Sequence, residues 1–314
     1  MDVLDLVNKG KIKRLFRARQ KLSFPGAICH ITQRAAGKEP LFVEEGDNLF
    51  MLYLTKEIKK EFSFEVFCHC LMPNHLHLLI RLSEDNLSKA MKQLYGEYAR
   101  FFNKKYERKG HVFGGAFRQA LCFDENYLLA ASLYIHLNPV RANLSKDPAK
   151  YRWSSCKLYV EPFEGETFVD YKFILEILGN DFEQGRKSYF QMLKEARTIK
   201  TYEVWENCRA LESFYNKTRN FLSSVAGLKG KELDGGFLGA EALEKKISEL
   251  KLKGRLRSPE NLKARKFLIE QLRARGYANG EIAEKLNISR QAIYKKDKID
   301  IVKSVKLSEG KWRL

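Results

Sequence analysis

The chain has 314 residues, 44% of them hydrophobic, enough for about two domains at the usual ~100–200 residues each and for at least one buried core. Lysine and arginine number 57 against 39 acidic residues, and the formal net charge of +18 favours polyanionic partners, nucleic acid above all. No apolar run approaches the ~18–20 residues of a membrane span, and no stretch has the make-up of a signal peptide, so a cytoplasmic protein is expected.

The first segment, residues 1–22, is a basic arm carrying Lys9, Lys11, Lys13, Arg14, Arg17, Arg19 and Lys21. Such an arm is either a solvated leader or a contact for backbone phosphates. A mixed domain follows over residues 23–160. Ala27–Arg34 reads as a strand. Asp47 is placed to cap a helix whose apolar stripe is Phe50, Tyr53, Leu54 and Ile58, with Leu49 beside it. Phe64–Leu71 alternates, with Phe64, Val66, Cys68 and Cys70 on one side. Pro73 and Asn74 mark a turn, and His75–Leu82 is the returning strand of a hairpin.

A long helix is expected from Leu87 to Tyr106, with Leu87, Met91, Leu94, Tyr98 and Phe102 inward. Lys89, Lys92, Arg100, Lys104 and Lys105 lie on or near its other faces. Gly110, Gly114 and Gly115 form a flexible loop, and a short strand runs to Cys122. Asp124 caps a further helix through about Leu137, stopped by Asn138-Pro139. The order is strand, helix, strand, strand, helix, strand, helix, which suggests an α+β fold: an antiparallel sheet covered by helices. Residues 161–250 are a helical connecting region without legible chemistry, and 251–314 hold a small helical module.

The six cysteines are Cys29, Cys68, Cys70, Cys122, Cys156 and Cys208, and none forms a CxxC. They read as reduced, buried small hydrophobes. Cys68 and Cys70 precede a histidine pair, but the spacing fits no common zinc pattern.

The chemistry concentrates in Cys70-Leu-Met-Pro-Asn-His75-Leu-His77-Leu-Leu-Ile-Arg81. Side chains alternate along a strand, so His75, His77, Leu79 and Arg81 share one face. Leu76, Leu78, Ile80 and Leu82 form the other, which has to meet a core. Two imidazoles side by side can ligate one metal ion; the same pair can equally be surface or satisfied interior histidine. On the later helix Tyr134 and Asn138 are four apart and therefore neighbours on one face. Tyr127, Ala131, Tyr134 and Asn138 also follow core-stripe spacing, so the residues alone leave Tyr134 open between a core aromatic and a nucleophile.

His75-Leu-His77 together with Tyr134-Ile-His-Leu-Asn138-Pro-Val-Arg-Ala resembles the REP-associated tyrosine transposases, single-tyrosine transposases with a His-hydrophobic-His motif. The likeness spans about residues 23–160 and takes in Phe24-Pro25-Gly26-Ala27, Asn86-Leu87-Ser88-Lys89, Gly110-His111-Val112-Phe113 and Tyr151-Arg152-Trp153-Ser154-Ser155. The resemblance implies a ferredoxin-like nuclease domain of the HUH kind. It implies His75, His77 and Asn138 as ligands of a divalent metal, Mg²⁺ or Mn²⁺, and Tyr134 as nucleophile. It further implies cleavage and rejoining of single-stranded or hairpin DNA through a 5′-phosphotyrosine, in a bacterial cytoplasm at the nucleoid, by a monomer or a homodimer. Lys89 and Lys92 on the long helix are placed for phosphate contact. The family's loop commonly carries a Gly-Arg pair; here Ala116 follows Gly115 and the next basic residue is Arg118, which takes the expected DNA contact. Relaxases and replication-initiator nickases share the same motif and tyrosine, and a non-catalytic DNA-binding regulator derived from a transposase is the other alternative.

Gly280-Glu-Ile-Ala283-Glu-Lys-Leu286-Asn287-Ile288-Ser289-Arg290-Gln291-Ala292-Ile293-Tyr294-Lys295 reads as a helix-turn-helix. Ala283 allows two helices to cross closely, Asn287 suits the turn, Ile288 plugs the core and Ser289 caps the second helix. Leu286 and Ile293 complete the apolar contact. Arg290, Gln291, Tyr294 and Lys295 would then face duplex DNA; a small bundle for protein contact is the alternative.

Overall fold

The structure, a computed structural model, describes residue 21, residues 23–37, 39–122, 124–199, 210–226, 240–252 and 259–274, residue 277 and residues 279–293. The basic arm apart from Lys21, and also Cys208, Tyr294 and Lys295, lie outside the described residues.

The elements come in the expected order. They are β1 (Ile28–Arg34), α1 (Glu45–Glu61), β2 (Phe64–Met72), β3 (His75–Leu82), α2 (Leu87–Lys105), β4 (Arg118–Cys122) and α3 (Glu125–Arg141). The strands form one sheet in the order β2-β3-β1-β4, and every neighbouring pair is antiparallel. Two interleaved βαβ units of this kind are the ferredoxin-like arrangement.

The sheet is covered on both faces. Leu76, Leu78, Ile80 and Leu82 of β3 join Met51, Leu54 and Ile58 of α1 and Leu87, Met91, Leu94, Tyr98 and Phe102 of α2 in one core. Cys68, Cys70 and Leu79 join α3 in the other. The second core continues beyond α3 through a short helix α4 (Cys156–Val160), then α5 (Lys172–Leu178), α6 (Phe182–Thr198) and α7 (Ala210–Ala226), as far as Leu222. Helix α3 is buried from Asn126 to Pro139, as a helix apolar on every side must be. His136 ties these layers: its Nδ1 is 2.7 Å from Tyr189 Oη and its Nε2 is 2.9 Å from Ser155 Oγ. The edge of β2 is covered by bridges to Ser154 and Val169, which leaves no open row of backbone groups there.

Four local details differ from expectation. In α1 the buried stripe is Asp47, Asn48, Met51, Leu54, Thr55 and Ile58, while Leu49 and Tyr53 are 49% and 56% exposed. The helix is rotated because Asp47 turns inward, taking Met51 with it. Asp47 is not the cap itself: Glu44 holds that position, and Asp47 closes a capping box with it. In β2 a register shift between Val66 and Cys68 moves Cys68 and Cys70 to the face opposite Phe64 and Val66, as a bulge does. In α3 the helix runs through Pro139 to Arg141 instead of stopping at Leu137. Proline removes only its own N–H, and Ala142 N still donates to Asn138 O at 2.9 Å and Leu144 N to Pro139 O at 2.8 Å.

A separate small core gathers α8 (Ala240–Leu252), α9 (Pro259–Ala274) and α10 (Asn279–Lys285) around Leu250, Leu272, Ile282, Leu286 and Ile293. Asn287 adopts φ +50°, as the turn requires, and Ser289 Oγ accepts from Ala292 N at 3.2 Å at the start of the next helical turn. Arg290 and Gln291 are exposed at that start.

Asp47 is the most heavily engaged carboxylate at the outer end of the sheet. It is fully buried and accepts from Val43 N at 2.9 Å, Lys105 Nζ at 2.6 Å and Tyr106 Oη at 2.7 Å. Burial pushes its pKa up, but the hydrogen bonds from Lys105, Tyr106 and the backbone together outweigh it, and the net shift is downward. A depressed carboxylate stabilises the fold above its ordinary pKa of ~3.9 and loses that contribution as pH falls through the folded value. Asp47→Asn is expected to cost about 2–3 kcal/mol near neutral pH. Urea midpoints of the two proteins should converge as pH is lowered below ~4; a gap that persists in acid would assign the loss to shape and not to charge.

Candidate active site

Strand β3 supplies two histidines and its pairing supplies their neighbours. The Pro73-Asn74 turn is pinned from outside: Leu41 N donates to Pro73 O at 2.7 Å and Ala35 N to Asn74 O at 2.9 Å. His75 starts β3 beside that turn, with its Nδ1 2.7 Å from Asn74 Oδ1. His77, two residues on, stands opposite Thr32 of β1 and shares its face. The His75 and His77 ring centroids are 5.0 Å apart and nearly perpendicular.

The same face of β1 carries a third histidine that sequence reading overlooked. His30 Nε2 lies 2.9 Å from His77 Nδ1, and Thr32 Oγ1 lies 3.2 Å from the same nitrogen. Period-two alternation puts His30, Thr32 and Arg34 together on one side of β1, but which strand they would face needs the sheet order. With Nδ1 occupied, His77 presents Nε2, a buried nitrogen with no hydrogen-bond partner among the described residues. That is how a metal-ligating imidazole is normally held. Burial, then the neighbouring His75, His30 and Arg34, push the His77 pKa well down, and burial brings His30 to about 3. Both rings are therefore neutral at ordinary pH.

Helix α3 brings Tyr134 over this group. Its ring centroid is 5.8 Å from both His30 and His77, edge-on to each. Asn138, one turn later, is buried and donates Nδ2 to the Tyr134 carbonyl at 2.9 Å, so its Oδ1 is the amide's remaining ligand atom. Burial pushes the Tyr134 phenol up, and Arg141, Arg34 and Arg118 pull it the other way. Arg34 and Arg141 were not expected here; they end β1 and α3, and only the fold converges them on Tyr134. Tyr127, on the same helix, packs against Tyr215 at 4.9 Å and away from the histidines' ring contacts.

Among the described residues, no three His, Cys, Asp or Glu side chains stand in a metal-holding group. A metal at this place therefore depends on the Asn138 amide as third ligand to His75 and His77. The described cysteines, Cys68 and Cys70 among them, are buried free thiols whose pKa values burial raises, which suits hydrophobes and not zinc ligands. Lys89, Lys92 and Arg118 are exposed, as phosphate contacts must be. No helix among the described residues is long and apolar enough to cross a membrane.

Tyr134 is only 3% exposed. Phe214 of α7 lies over it at 5.9 Å and carries the Arg141 guanidinium on its own ring at 4.6 Å.

Residues 23–138 match the family described as "Transposase IS200 like". The matched segment takes in the sheet, both histidines of β3 and Tyr134, and it ends on Asn138. A solved structure, "Structure of the REP associates tyrosine transposase bound to a REP hairpin", is 15% identical, with 48% of this chain and 93% of that chain covered and a TM-score of 0.42. No curated protein matches the chain.

Two outcomes test the geometry. His30→Ala is expected to weaken Mn²⁺ binding about 10–100-fold in calorimetric titration, because His77 loses the partner that aims its Nε2; unchanged affinity would show that Thr32 alone orients the ring. Phe214→Ala is expected to cost about 3–5 kcal/mol of stability and to make Tyr134 reactive to tetranitromethane, with the nitrated peptide identified by mass spectrometry.

Proposed function

We propose that this protein is a DNA transposase that cleaves and rejoins single-stranded or hairpin DNA with Tyr134 as nucleophile. The observation that carries the reading is the edge-on packing of Tyr134 on His77, itself beside His75, with Asn138 one helical turn on and Arg34, Arg118 and Arg141 acting on the phenol. His75, His77 and Asn138 would hold a divalent metal; two imidazoles and one amide oxygen accept Mn²⁺ more readily than Mg²⁺, and either serves. Such an ion neutralises non-bridging phosphate oxygens and polarises the phosphorus.

The chain's own residues do the rest. Tyr134 Oη forms a bond to phosphorus as the bond from phosphorus to the 3′-oxygen breaks. The phenol proton ends on that oxygen, giving a 3′-hydroxyl and a 5′-phosphotyrosine, which keeps a phosphodiester for the rejoining step. Arg34, Arg118 and Arg141 stabilise the phenolate and the negative charge it transfers to the phosphate. The helix-turn-helix, with Arg290 and Gln291 exposed at the start of its second helix and Tyr294 and Lys295 beyond, would hold the duplex next to the cut strand.

The test is a labelled hairpin oligonucleotide from DNA flanking the gene, incubated with wild type and Tyr134→Phe in Mn²⁺, Mg²⁺ or EDTA. A denaturation-resistant adduct on the 5′ side of the nick should form with wild type and metal and vanish in Tyr134→Phe and in EDTA. An adduct that survives Tyr134→Phe would move the nucleophile to Tyr127. Tight binding without any adduct would make the protein a DNA-binding regulator.

A further inference from the structure

On the sheet face opposite Tyr134, between α2 and the glycine loop, lies a cavity of about 470 Å³. That volume is within the ~300–1,000 Å³ of small-ligand clefts. Its walls are aromatic. Tyr95 lies 5.3 Å from Phe113 and 6.3 Å from Phe117 between ring centroids, and Lys21 Nζ is 4.4 Å from the Phe117 ring. Tyr95 is only 6% exposed, and its hydroxyl has no hydrogen-bond partner among the described residues. Burial pushes its phenol up, which keeps the hydroxyl a neutral donor.

The mouth of the cavity is open by design of α2. Gly96 sits inside the helix, where glycine is disfavoured. A Cβ there would meet only Arg100 Nη1, at 3.8 Å. Nothing crowds the position, so the missing side chain serves the space in front of it. The rim carries Lys92 and His111, both exposed, and Lys89 and Arg100 are exposed one turn to either side of the mouth. Among the described residues, no carboxylate lines the cavity.

Aromatic walls and a cationic rim match one chemistry: an aromatic ring tied to phosphates. We propose that this cavity takes an unstacked base of single-stranded DNA, whose backbone runs along Lys89, Lys92 and Arg100. The base packs against the aromatic wall of Tyr95, Phe113 and Phe117. Base–aromatic contact of this sort tolerates sequence, because every base has a π-face. The site lies on the other side of the sheet from the tyrosine, so it holds the strand and does not touch the reacting phosphate. The inference rests on the DNA-strand reading given above, but it is tested without cleavage.

The probe is a fluorescein-labelled, mixed-sequence single-stranded DNA, with an abasic strand of the same length as control. Anisotropy titrations in EDTA compare the full-length wild type with Gly96→Leu, which fills the mouth. Gly96→Leu should bind the base-bearing strand about tenfold more weakly and the abasic strand unchanged. A strand carrying 5-iododeoxyuridine should photocrosslink to peptides containing Tyr95, Phe113 or Phe117. Equal affinity of wild type and Gly96→Leu, equal loss on both strands, no binding of single-stranded DNA at all, or crosslinks only elsewhere would each overturn the site. Because no metal is present, those failures leave the Tyr134 chemistry untouched. An absent adduct would in turn leave the base cavity standing.

Discussion

Everything at the candidate site hangs on one strand having two incompatible faces. Leu76, Leu78, Ile80 and Leu82 are all 1% exposed or less, and His75 and His77 alternate with them. A slip of one residue in the pairing with β1 or β2 would drive both imidazoles into the apolar core and turn the leucines to the polar side. The apolar face is therefore what sets the placement of the two histidines. It fixes the register that puts His77 opposite Thr32, and that register brings His30 to the far nitrogen of His77. The turn contacts from Ala35 and Leu41 act on the same variable, because they decide where β3 begins.

Burial then decides the protonation states. Low polarity penalises charge, so His30 and His77 stay neutral and the Tyr134 hydroxyl keeps its proton. Neutral imidazole is what a metal ligand must be, so desolvation helps that half of the site. It works against the other half, since a nucleophilic tyrosine has to lose a proton. Arg141, Arg34 and Arg118 oppose burial without overcoming it. The resting arrangement thus favours the proposed metal ligation and opposes the proposed attack. The missing charge compensation is of the kind that a bound cation would supply.

The sheet, its helices and the site strand were legible because they rest on periodicity. Alternation in β3, the inward stripe of α2 and the Asp124 cap of α3 are local signals that no tertiary contact overrode. The misreadings in α1, β2 and α3 have one cause. Each is a place where a distant partner chooses between local options: Lys105 and Tyr106 draw Asp47 inward, the β2 bulge re-aims Cys68, and the packed layers around α3 carry it through Pro139. The same holds at the site. His75, His77, Tyr134 and Asn138 stand in motifs of short range, whereas His30, Arg34 and Arg141 join them only through the order β2-β3-β1-β4 and the docking of α3. The cavity at Gly96 was beyond reach for the same reason, since Phe113 and Phe117 in its wall lie 18 and 22 positions along the chain from Tyr95.

The helices beyond α3 then have a physical role that their sequence hid. A helix buried on every side cannot be served by the sheet alone, and α3 needs α5, α6 and α7 to cover what the sheet leaves bare. Phe214 fills that gap directly over Tyr134 and also receives Arg141 on its ring. The aromatic side chain that helps complete the core is therefore also one that shields Tyr134 from solvent. Stability and access are opposed there: tighter packing of α7 protects the fold, and in the proposed reaction a strand reaching Tyr134 would have to offset the contacts that Phe214 makes.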